Sequence, residues 1–114
     1  MDWESEVIKY LESMTRWPFF HDVPSKPPKA FGTVERDGGA KTYPTGGNPL
    51  FTIQNYGETR AEAARMAETV SDALLEMPYK HPNVFCVEIE SNYRDDDPDT
   101  GQPRYRVTAI LSVC

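Results

Sequence analysis

The stretch "LFTIQNYGETRAEAARMAETVSDALLEMP", Leu50 to Pro78, changes its hydrophobic period partway along. Leu50 to Tyr56 reads as a strand with Phe51 and Ile53 on one face. After Gly57 the pattern becomes helical. Thr59 and Glu62 form a capping box, in which a side-chain oxygen and a carboxylate satisfy the first free N–H groups of a helix. Ala63, Ala67, Val70, Leu74 and Met77 then recur at spacings of four, three, four and three. Ala61, Ala64 and Ala73 allow close approach to a sheet or another helix, and Pro78 is expected to end the helix. A strand feeding a small-residue helix sets the plan into which the rest must fit.

Downstream, "NVFCVEIESNY" alternates, which places Phe85, Val87, Ile89 and Tyr93 inward and Cys86, Glu88 and Glu90 outward. "RYRVTAILSVC" repeats the pattern, with Tyr105, Val107, Ala109, Leu111 and Val113 in and Arg104, Arg106 and Thr108 out. The polar connector "RDDDPDTGQP" makes these two runs a hairpin centred close to Pro98. That register sets Glu90 near Arg106 and Asn92 near Arg104.

Upstream, residues 2–15 read as a helix capped by Asp2, with Trp3, Val7, Leu11 and Met14 on one face and Ile8 widening it. Pro18 stops it. "FFHDV", Phe19 to Val23, is either a short strand or an extended crossing segment. Pro24, Pro27 and Pro28 remove three backbone donors and hold the chain extended. "AFGTVER" follows as a strand, and Gly32 marks a bulge or a close backbone approach. Asp37 to Pro49, "DGGAKTYPTGGNP", reads as a breaker-rich loop longer than a tight hairpin needs. The fold class is therefore α+β: a mainly antiparallel four-stranded sheet, five-stranded if Phe19–Val23 pairs, with two helices packed on one face.

A chain of 114 residues carrying 18 acidic and 12 basic side chains has a net charge of −6. Its length suits one domain, 1–114. Its charge disfavours binding to a phosphate backbone, which needs clustered cations. No window approaches the roughly 20 apolar residues of a membrane span. The acidic start, Met-Asp-Trp-Glu, is unlike a signal peptide, so cytoplasmic synthesis is expected. Cys86 reads as a small buried residue and Cys114 as a free thiol. Neither has the spacing of a zinc ligand set.

Candidate chemistry is sparse. Asp95, Asp96, Asp97 and Asp99 suggest a calcium loop, but an EF-hand counted from Asp95 has its glycine one position late and Arg106 where the closing acid belongs. A solvated turn is the simpler reading. His21 and Asp22 face opposite ways on an extended segment, and His81 lies in a loop. No nucleophile elbow or phosphate-loop spacing occurs, so neither an enzyme nor a cofactor or metal site is expected. The acidic helix positions Glu4, Glu12, Glu62, Glu68, Asp72 and Glu76 read as solvated surface, or as the negative lining of a passage that must not grip DNA.

Taken in order, "VPSKPPKAFGTVERDGG" and "NPLFTIQNYGETRAEAARMAETVSDAL" resemble the small, prophage-encoded type of phage tail terminator (tail completion) protein. The shared features are a proline-rich lead-in, a strand ending in Arg and Gly-Gly, a variable loop, a strand with a polar and aromatic end, and a small-residue helix. "AKTYPTGGN" departs from the pattern by lacking an Asp-containing segment. The resemblance implies a non-enzymatic virion subunit that forms a ring, often hexameric, at the end of the tail tube. Such a ring stops tube growth and joins tail to head. The implied partners are other copies of the chain, the tail tube protein and head–tail connector proteins, with DNA passing through the ring rather than being read. Arg36, Tyr43, Tyr56 and Arg60 are the interface residues this suggests, because exposed Arg and Tyr are favoured at hot spots. The Asp37–Pro49 loop is expected to contact a neighbour. A soluble small-ligand or regulatory module, binding between sheet and helix, is the alternative.

Overall fold

The computed structural model describes residues 2–41 and 46–114, with Lys41 described by its backbone alone. Helix α1 (Trp3–Met14) is followed by β1 (Phe19–Phe20), β2 (Phe31–Lys41), β3 (Gly47–Tyr56), helix α2 (Arg60–Lys80), β4 (Val84–Arg94) and β5 (Arg104–Val113). The strands form one mixed sheet in the order β1-β2-β3-β5-β4. Only β1 runs parallel to its neighbour, so Phe19–Phe20 does make the short fifth strand.

Both helices begin where their caps predicted. The Asp2 carboxylate accepts from the Ser5 N–H at 3.2 Å. The Thr59 hydroxyl oxygen accepts from the Glu62 N–H at 3.1 Å, while the Glu62 carboxylate reaches back to the Glu58 N–H at 2.7 Å. Pro78 does not end α2, which runs two residues further. Proline lacks only its own N–H, so the loss is one bond to the Leu74 carbonyl. Met77, whose conformation Pro78 would restrict, is fully buried and held in the core, and the His81 N–H closes the last turn on the Met77 carbonyl at 2.8 Å.

The inner sheet face meets both helices in one core. Val34 lies opposite Ile53 and Ile53 opposite Val107, and the next row sets Phe51 against Ala109. Met66, Val70, Leu74 and Met77 of α2, and Val7 and Leu11 of α1, close over these rows, and all six are fully buried. Each such side chain contributes about 1.5–3 kcal/mol through removal from water. Gly32 is the close approach that the sequence suggested: a Cβ there would stand 2.3 Å from the Phe19 ring. Gly32→Val is expected to lower stability by about 1–3 kcal/mol, read as a reduced urea midpoint, because the ring must leave its place over β2.

Three strand expectations are corrected. Residues 38–41 are not loop but strand, paired with 47–50 across a bulge at Asp37. The paired glycine serves this ribbon: Gly39 has φ +100°, and a Cβ there would lie 2.1 Å from the Asn48 carbonyl oxygen. In β4, Val87 and Ile89 pack against the core as expected, but irregularities at Phe85 and Glu90 turn Phe85 and Tyr93 outward. Phe85 is 65% exposed and Tyr93 46% exposed, and Cys86 is exposed rather than buried. The β4–β5 register is displaced by three residues, with Arg106 opposite Tyr93 instead of Glu90. Tyr93 and Arg106 pair on the turn side of both irregularities, so the displacement comes from the turn, which closes through the Gly101 N–H on the Asp97 carbonyl at 2.8 Å and so centres beyond Pro98.

Candidate functional site

The sequence-derived interface residues do not converge. Arg60 opens α2 and is exposed; Arg36 is exposed beside the β2 bulge. Tyr56 lies opposite Phe31, five residues and about 17 Å along β2 from Arg36. Tyr56 is buried, so its side chain offers no surface to a partner in this subunit. Tyr43 lies outside the described residues, as does the centre of the expected contact loop.

The burial of Tyr56 has a definite cause. Its ring stacks on Phe31 with centroids 4.4 Å apart and planes 7° apart, on the sheet face opposite the helices. Its hydroxyl donates to Gln54 Oε1 at 3.0 Å and accepts from Arg104 Nη1 at 3.1 Å. Arg104, expected to face solvent, is 8% exposed. Its Nε donates to the Asp95 carbonyl at 2.7 Å and its Nη2 meets Asp95 Oδ2 at 3.3 Å. Arg106 reaches the same Asp95 oxygen at 3.0 Å, and Arg94 pairs with Asp96 at 2.8 Å. The acidic run therefore serves three arginines of its own hairpin. Asp97 shapes the turn by accepting the Asp99 N–H at 2.9 Å. The signal in the sequence was the arginines at 94, 104 and 106 flanking the acids.

The hydrogen bond from Arg94 holds the Asp96 carboxyl below the usual carboxylate range, with Arg60 adding to the effect. The hydrogen bond from His81 likewise lowers Glu6, at 3.2 Å. Because these folded values lie below the unfolded ones, the stabilisation is complete above the ordinary carboxylate pKa and is lost as pH falls through the lowered values. Asp96→Asn is therefore expected to lower the urea midpoint at pH 7 and to converge with the parent near pH 2. Equal midpoints at pH 7 would contradict the pairing.

Glu4, which the sequence offered as solvated surface, protects a strand edge instead. Its Oε2 accepts the Arg36 N–H at 2.7 Å and its Oε1 lies 3.0 Å from His21 Nδ1. Beside it, the Gly32 N–H donates to the Pro18 carbonyl at 2.9 Å. The outward donors at these two positions of β2 are thus occupied, which discourages unplanned strand pairing there. The interval between sheet and α2, where a small-ligand module would hold its ligand, is filled by the core side chains. Among the described residues, no helix is long and apolar enough to cross a membrane.

These features define a helix-on-sheet α+β domain with two outward donors of β2 occupied and a polar hairpin. No family model matches the chain, and no curated protein does. Among solved structures, it is similar to a chain from the virion of a native gene transfer agent (GTA) particle, at a TM-score of 0.65 and 16% identity. That likeness covers 94% of this chain and 83% of the other, and it establishes a shared fold.

Proposed function

We propose that this protein is a structural virion subunit, a tail terminator whose copies encircle the end of the tail tube, halt its growth and present a surface to the head connector. It works without catalysis, in the neck of the particle, after assembly in the host cytoplasm. The observation that carries this reading is the fold shared along nearly the whole chain with a component of a virion particle. The order of motifs from Asp22 to Leu75 supports the finer assignment. The polar groups of the β4–β5 hairpin support it too: they are spent on each other, as suits a rigid building block.

Deleting the encoding gene from the phage genome that carries it tests the proposal. The expected lysate holds filled heads and separate tail tubes of uncontrolled length, and supplying the protein in trans restores joined particles. Normal particles from the deletion strain would overturn the reading.

A further inference from the structure

Two features on the α1/α2 side of the molecule lie outside the fold's internal accounts. The first is a depression of about 340 Å³ where α1 ends against α2, lined by Met14, Thr15, Arg16, Trp17, Arg65 and Thr69. The Arg16 guanidinium lies 4.8 Å from the Trp17 ring centroid. Neither Arg16 nor Arg65 forms an ion pair among the described residues, in a chain with an acidic excess. The second is the far end of α2. There Tyr79 is 89% exposed and Leu75 48% exposed, one helical turn apart. Glu76 precedes Tyr79 by three residues, and Asp72 lies a further turn back on the same face.

Arg65 and Tyr79 share a helix face but stand 14 residues apart, about 21 Å along α2. The Tyr79 end of a molecule therefore cannot fill its own depression. It is complementary to that of another copy: an exposed tyrosine, preceded by Glu76 and Asp72 and followed by Lys80, against a depression rimmed by two guanidinium groups, with Arg16 lying over the buried Trp17.

The geometry points to head-to-tail docking of this chain on itself, with Tyr79 of one copy seated in the depression between the Arg16 and Arg65 guanidinium groups of the next. The contact is heterologous, because the two surfaces differ. Each copy then offers one free donor and one free acceptor surface, which generates a closed ring when the rotation per step allows closure. The inference rests on the reading that copies encircle a tube, and supplies the contact that would join them.

Sedimentation velocity over a concentration series tests it, using Arg65→Glu and Tyr79→Ala, both at exposed helix positions. Far-UV circular dichroism confirms that each variant is folded. The parent is expected to exceed monomer mass increasingly with concentration. Each variant alone is expected to associate at least tenfold more weakly. An equimolar mixture should form a dimer and stop there, because the Tyr79 of one variant meets the intact depression of the other. A monomeric parent, unaffected variants, or a mixture that stays monomeric would each overturn the docking. A parent that is monomeric yet caps tube ends would overturn this contact alone. One that docks as described but leaves tube length unchanged would overturn the tail-terminator reading and spare the contact.

Discussion

Leu74→Asp is expected to yield a chain that does not fold. Leu74 is fully buried, in the row of α2 residues that packs on the sheet, chiefly on β4 and β5. An aspartate there loses the leucine's burial, worth about 1.5–3 kcal/mol, and adds an unpaired carboxylate in an apolar interior. Domains of this size hold about 5–15 kcal/mol of stability in all, so the combined loss consumes most or all of it. Circular dichroism at 25 °C should show a largely unfolded spectrum with no cooperative melt. Exposed neighbours provide the control: Leu75→Asp sits on the same helix, 48% exposed, and should melt close to the parent. If Leu74→Asp melted like the parent, the packing of α2 on the sheet would be wrong.

Arg104→Ala is the second large effect, and it acts on the opposite sheet face. Removing the guanidinium strands the Asp95 carbonyl, loosens the Asp95 and Asp97 carboxylates and takes a donor from the Tyr56 hydroxyl. Asp95 is partly exposed and keeps Arg106, so the cost is that of the lost hydrogen bonds to charged groups, about 1.5–3 kcal/mol. The expected result is a large fall in urea midpoint with an unchanged slope. Tyr56→Phe alone removes one hydrogen bond, worth about 0.5–1.5 kcal/mol. In the Tyr56→Phe background Arg104→Ala should cost less than in the parent, since the two residues share a partner set. Strictly additive losses would show that Arg104 and Tyr56 act independently.

Much of the inner face was legible from period alone. The capping box at Thr59, the α2 stripe and the alternation of Val107, Ala109, Leu111 and Val113 all rest on unbroken repeats, and burial follows them. Two of the failures, in β4 and in β2, share one physical cause: an interruption that leaves composition unchanged. A bulge adds a residue without altering the alternation written in the sequence, so Phe85 and Tyr93 read as inward when the ladder had turned them out. Gly38 and Gly39 read as a release into loop, whereas they let a bulged ribbon continue. Arg104 and Arg106 read as outer-face charges because periodicity assigns a face and not a depth. Only the folded hairpin brings Asp95 back over them. Arg36 and Arg60 are on the surface as the interface reading required, but Tyr56 shows that a strand-end aromatic can be claimed by its own sheet.

On the proposed reading, copies of this chain act together as a structural ring at the end of a cylinder. The most direct measurement adds the purified protein to growing tubes of the tail tube protein proposed as its partner, and records tube lengths and ends by electron microscopy. The account predicts that elongation stops and that a ring of added density sits at one end of each tube. Tubes that grow to the same lengths with bare ends would contradict it.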